Sequence, residues 1–172
     1  MPKAIKFSKS PSVLHTRAEL FCIMARREAD NLDAKHQPSR VLICEDQRDA
    51  AESLAALLRL QGYEVAICHD GHSAMDRATA WRPNAVVIDI GLPGATGYAV
   101  AQYIRELQFG REAVLIAVTG YSTPADIEMA RYAGFNWHFA KPADPSFLMD
   151  VLEDPARTHH GRLGAISFKQ SH

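Results

Sequence analysis

The sequence predicts an α/β domain built on a doubly wound, five-stranded parallel sheet in the order 2-1-3-4-5, and three observations carry that expectation. From Val41 onward, short apolar runs alternate five times with amphipathic stretches. This is the pattern of βαβ units, whose right-handed crossovers place helices on both faces of a sheet. Gly62, Gly110 and Gly134 fall where helical periodicity stops, as expected where a chain leaves a helix through a left-handed residue. Polar residues follow the apolar runs directly, and an open α/β sheet binds ligands beyond the carboxyl ends of its strands.

Residues 1–39 stand apart as an N-terminal extension. Lys3, Lys6 and Lys9 with Pro2 and Pro11 read as a basic tail. From about Ser12 to Ala34, the residues Leu14, Ala18, Phe21, Ala25 and Leu32 recur at spacings of three, four and seven, which predicts a helix outside the core. The first strand, roughly 41–45, is the run Val41-Leu42-Ile43-Cys44, and Leu54, Leu57 and Leu58 support a helix over roughly 47–61. A strand near 63–68, a helix near 71–81 and a strand near 84–89 follow, the last carrying Ala85-Val86-Val87-Ile88. Val100, Ile104 and Leu107 predict a helix over roughly 97–109, ahead of a strand at roughly 113–118 built on Val114-Leu115-Ile116-Ala117-Val118. A helix near 123–133, a more polar strand over Asn136-Trp137-His138-Phe139-Ala140, and a final helix near 144–153 with Phe147, Leu148, Val151 and Leu152 complete the domain, predicted to span 40–154. Pro155, the doubled His159-His160 and a Gly-containing stretch predict a flexible tail over 155–172.

Composition narrows the function. A chain of 172 residues that is 47% hydrophobic and 23% charged supports one globular core with extensions. A net charge of −1 leaves no overall footprint for nucleic acid or an anionic membrane. No run approaches the roughly 18 apolar residues of a spanning helix, and the stretch Leu20 to Ala25, preceded by Glu19, is too short for a secretory signal. A cytoplasmic location follows by default. Of three cysteines, Cys44 and Cys68 lie inside apolar runs and read as reduced core residues, and Cys68, His69 and His72 lack the second ligand pair of a zinc site.

The strand-end residues carry the chemistry. Glu45 and Asp46 end the first strand and Asp89 the third, which are neighbours in the 2-1-3-4-5 order. Alone, each reads as a turn or helix-start acid. Together, three carboxylates repel unless a cation neutralises them, and hard oxygen donors suit Mg²⁺. Lys141 ends the fifth strand ahead of Pro142, placed to pair with Asp89 as a point charge. The Lys-Pro sequence raises the chance of a cis peptide. Thr119 ends the fourth strand, with Gly120 keeping its hydroxyl approachable.

With Cys44-Glu45-Asp46, Val87-Ile88-Asp89-Ile90-Gly91-Leu92-Pro93-Gly94, Val118-Thr119-Gly120 and Phe139-Ala140-Lys141-Pro142 in order at strand ends, residues 40 to 153 resemble the receiver domain of two-component response regulators, in particular the receivers of hybrid sensor kinases. The resemblance implies a flavodoxin-like fold. It implies that Asp89 accepts a phosphoryl group from a histidine kinase or phosphotransfer protein, and that Glu45, Asp46, Asp89 and the Gly91 backbone carbonyl hold Mg²⁺. By the same likeness Thr119 and Lys141 contact the phosphoryl group, and His138 occupies the switch position, where tyrosine or phenylalanine is more usual. Such a domain promotes only its own aspartyl phosphorylation and dephosphorylation. Its partners would be the kinase and a downstream protein, while the apolar stripe Leu14, Ala18, Phe21, Ala25 and Leu32 of the N-terminal extension predicts a face for self-association in a homodimer or for docking to another protein.

Three other readings compete. A phosphorylation-independent scaffold would keep the fold without the chemistry. A flavin mononucleotide enzyme would need a phosphate-cradling loop where Glu45-Asp46-Gln47-Arg48 stands. A phosphatase with an aspartyl nucleophile would want a second carboxylate where Gly91 stands.

Overall fold

Each apolar run becomes a strand covered on both faces. The computed structural model describes residues 39–120, 123–153 and 165–167. The predicted basic tail and N-terminal helix lie outside them. In chain order the elements are β1 (Arg40–Cys44), α1 (Arg48–Leu60), β2 (Glu64–Cys68), α2 (Gly71–Trp81), β3 (Ala85–Asp89) and α3 (Gly97–Glu106). A 3₁₀ turn (Phe109–Arg111), β4 (Val114–Thr119), α4 (Pro124–Tyr132), β5 (Trp137–Ala140), α5 (Pro145–Glu153) and β6 (Ala165–Ser167) follow. The first five strands are parallel in the expected order β2-β1-β3-β4-β5.

Alternation along the strands divides the core into two layers. Leu42, Cys44, Val86, Ile88, Leu115 and Ala117 pack against α2, α3 and α4, while Val41, Ile43, Val87, Ile116, Val118, Trp137 and Phe139 pack against α1 and α5. Strands buried on both faces cannot show a polar face, so they read as continuous apolar runs. Phe147 of α5 meets Phe139 at a ring-centroid distance of 5.3 Å and Trp137 edge-on at 6.3 Å, seating the last helix on the last parallel strand.

Two expectations are corrected. Gly62 and Gly134 do take φ near +90°, but Gly110 does not. The helix predicted to 109 stops at Glu106, and a Cβ on Gly110 would fall 1.7 Å from the Ile104 carbonyl oxygen. Gly110 is therefore required by close approach of the 3₁₀ turn to the end of α3, not by a left-handed backbone. The tail is the other correction. Residues 165–167 form a sixth strand antiparallel to β5, pairing Trp137 with Ser167, His138 with Ile166 and Phe139 with Ala165. The unpaired backbone groups of a sheet edge are a template for such pairing, and three residues are too few to announce a strand by periodicity.

Candidate functional site

The strand-end residues Glu45, Asp46, Asp89 and Lys141 converge. Glu45 continues the β1 ladder by one bond, its N–H donating to the Cys68 carbonyl at 3.0 Å. That bond brings the Glu45 side chain to the mouth of the sheet, where it is only 8% exposed. Its carboxylate accepts from Lys141 Nζ at 2.8 Å and from the Gln47 N–H at 3.4 Å. Asp89 ends β3 and accepts from the same Lys141 ammonium at 2.7 Å through Oδ2, and from the Gly91 N–H at 3.0 Å through Oδ1. The first turn of α3 closes tightly over this strand end, since a Cβ on Gly97 would lie 2.5 Å from the Asp89 carbonyl oxygen.

Lys141 reaches both acids because its backbone is tied to β4: its N–H donates to the Thr119 carbonyl at 2.8 Å, and Thr119 pairs in register with Ala140. The peptide Lys141–Pro142 is cis. Burial by itself would lower the affinity of the Lys141 ammonium for its proton, but the hydrogen bonds and charges of Asp89 and Glu45 outweigh it and raise the pKa above its ordinary value. Thr119 is fully buried at the end of β4. Asp46 is exposed, and one ligand atom each from Glu45, Asp46 and Asp89 lie within 4.8 Å of one another. Three carboxylates and one ammonium leave a formal charge of −2, which a divalent cation would neutralise. The hard oxygen donors fit such an ion. Cys68 and the two histidines near it form no comparable group among the described residues. Cys68 Sγ instead contacts the Ser73 carbonyl, and burial raises the pKa of both Cys44 and Cys68 thiols.

His138 lies in the other core layer, away from α1 and α5. It pairs in register with Ala117, two residues below Thr119, and projects to the α2–α4 side, because its neighbours Trp137 and Phe139 face α1 and α5. It is 1% exposed, and its Nε2 has no hydrogen-bond partner among the described residues. Burial lowers its pKa, partly opposed by the negative charge of Asp126.

A cleft of about 530 Å³ opens beside Glu45, Asp89 and Lys141 and continues between α1 and α5, where Ala50, Leu54, Leu57, Pro145 and Leu148 make it largely apolar. One residue of the site was not anticipated in this role. His69, just past β2, places Nδ1 2.8 Å from the Glu45 carbonyl oxygen. The signal that would have found it is the one that found the others, a polar residue directly after an apolar strand.

Residues 41–153 match the family of the response regulator receiver domain. The chain belongs to that family. The transcriptional regulatory protein PdtaR of Mycobacterium tuberculosis is 34% identical over 117 residues, covering 67% of this chain and 56% of that protein. The polar-differentiation response regulator DivK of Brucella anthropi is 30% identical over 115 residues, covering 66% of this chain and 94% of that protein. Among solved structures, the receiver domain of the sensor histidine kinase PA1611 from Pseudomonas aeruginosa, crystallised with magnesium in its active-site cleft, is 32% identical at a TM-score of 0.63, covering 68% of this chain and 96% of that one. Residues 41–153 are thus a phosphoacceptor receiver domain of a two-component system. Among the described residues no helix is long and apolar enough to cross a membrane.

Proposed function

We propose that Asp89 is the phosphoacceptor, and that the site takes its phosphoryl group from a phosphohistidine on a partner kinase or phosphotransfer protein. The observation that carries this reading is the Lys141 ammonium held between Asp89 at 2.7 Å and Glu45 at 2.8 Å. A fixed cation beside a carboxylate is the arrangement that phosphoryl transfer needs, since catalysis there is positioning plus charge stabilisation. An Asp89 carboxylate oxygen attacks phosphorus, the P–N bond breaks, and the electron pair returns to the donor imidazole, leaving an acyl phosphate. Lys141 neutralises oxygen charge on the transferring group. Glu45, Asp46, Asp89 and the Gly91 carbonyl are the residues that would hold Mg²⁺, which supplies further charge neutralisation when bound. The magnesium in the PA1611 receiver supports this choice of ion.

The cleft between α1 and α5 suits the approach of a helical donor protein, because its apolar residues lie next to the acceptor. In this reading Thr119 turns toward the phosphoryl oxygens and the buried His138 ring is the element whose surroundings respond, as a shift between two pre-existing states. A cytoplasmic setting, a downstream protein partner and self-association belong to the same reading. The scaffold alternative has no observation in its favour. Incubation with acetyl phosphate and Mg²⁺ is expected to add one phosphoryl group by intact mass. Equal labelling of Asp89→Asn would overturn the assignment.

A further inference from the structure

We infer that His69 is a positioning residue for the acidic pair, holding the backbone of Glu45 and Asp46 in the conformation that gathers the three carboxylates. The inference rests on the reading of the site as a Mg²⁺-dependent phosphoacceptor and deepens it. A carbonyl oxygen only accepts, so the 2.8 Å contact between His69 Nδ1 and the Glu45 oxygen requires the proton on Nδ1. The neighbouring Cys68 carbonyl takes the Glu45 N–H at 3.0 Å, and Cys44 and Cys68 are in register across β1 and β2. Both backbone polar groups of Glu45 are therefore fastened to the end of β2. The Glu45 carbonyl shares a planar peptide with the Asp46 N–H, so fixing one fixes the direction in which Asp46 leaves the strand.

That grip opposes a definite force. Three carboxylates within 4.8 Å repel one another, and among the described residues the Lys141 ammonium bonds Glu45 and Asp89 and not Asp46. Asp46, the exposed member, is placed by its backbone. The anchor itself stands on a rigid corner: Asp70, the next residue, caps α2 by accepting from the Ser73 N–H at 2.9 Å, and the Gly71 N–H donates to the Pro93 carbonyl at 2.9 Å. A Cβ on Gly71 would collide with the Ala95 carbonyl oxygen at 2.1 Å, so this corner is packed against the loop that follows Asp89. His69 thus links the acidic pair to the acceptor loop through β2 and α2, in the manner of outer residues that orient metal ligands.

The test is Mg²⁺ titration of the full chain without a phosphoryl donor, by calorimetry, on the wild type, His69→Ala and His69→Asn. His69→Ala is expected to bind about tenfold more weakly. His69→Asn is expected to recover to within about threefold of wild type, its amide N–H standing in for Nδ1–H. Long-range ¹H–¹⁵N spectra of the wild type should show the proton on His69 Nδ1, a measurement that survives even where the alanine variant does not fold. A proton on Nε2 alone, wild-type affinity in His69→Ala, or an asparagine variant no better than alanine would each overturn the role. If the wild type takes no phosphoryl group on Asp89 from acetyl phosphate, the reading of the site has failed. If it does and the variants bind normally, only the role of His69 has.

Discussion

Lys141 and Arg105 are cations gripped at opposite ends of the same two strands, and they are gripped by different kinds of oxygen. Beyond the carboxyl ends of β4 and β5, Lys141 is held by two carboxylates. At the amino ends, Arg105 reaches down from α3 and donates to the carbonyls of Gly134 at 2.8 Å and Ala113 at 2.7 Å, to the Gly110 carbonyl, and to Asn136 Oδ1 at 2.6 Å. The same Asn136 oxygen accepts the Leu115 N–H at 2.7 Å, so one guanidinium fastens the entry to β4 and the entry to β5. Burial lowers the Arg105 pKa to about 10, still far enough above neutrality to keep the charge, whereas the anions around Lys141 raise its pKa. Backbone carbonyls cannot change charge, so the Arg105 end is a lock. Carboxylates can be protonated or phosphorylated, so the Lys141 end can be rearranged by chemistry.

The sharpest way to separate the two ends is to remove each cation. Arg105→Ala leaves several buried carbonyls without donors and is expected to cost about 3 kcal/mol of stability, read from urea unfolding, while the protein that remains folded still accepts a phosphoryl group. Arg105→Lys should recover little, because one ammonium cannot replace a planar fork spanning two loops. Lys141→Gln should do the reverse, slowing phosphorylation by acetyl phosphate about a hundredfold with a small change in unfolding midpoint. If Arg105→Ala abolished phosphorylation in folded protein, or Lys141→Gln unfolded the domain, the division between lock and switch would be wrong.

Proton linkage sharpens the comparison further. The folded Lys141 pKa is raised, so the contribution of its pairing is present below the ordinary value of 10.5 and is lost as pH rises through the higher folded value. The stability advantage of wild type over Lys141→Gln should therefore shrink above about pH 10.5, measured by unfolding at stepped pH. His138 has the opposite sign. Its folded pKa is lowered, so the unfolded chain binds the proton more readily, and stability should fall as pH drops below the ordinary 6.5 and level off below the folded pKa. His138→Phe should lack that component, and an unchanged acid limb would show that the ring is solvated.

The smallest expected effect concerns the edge. Ending the chain at Gly164 removes β6 and should speed amide exchange over Trp137 to Phe139, while β1 to β4, paired among themselves, keep their protection. Faster exchange throughout the sheet would make β6 part of the core.

By itself the sequence determined where the five parallel strands lie and which residues stand at their carboxyl ends. Burial on both faces forces an apolar run at each strand, and ligand chemistry must begin where the run stops, so both signals are local. Glu45, Asp89, Thr119 and Lys141 were legible for that reason. Only the tertiary structure decided what holds them. The His69 bond to Glu45 joins residues 24 apart, and Arg105 grips acceptors 29 and 31 residues away; neither pair leaves any periodic trace. The inward His138 and the short β6 were decided in the same way. A side chain's depth and the capture of a sheet edge depend on which neighbours arrive in space, and a three-residue strand gains its hydrogen bonds only once β5 is already there to offer them.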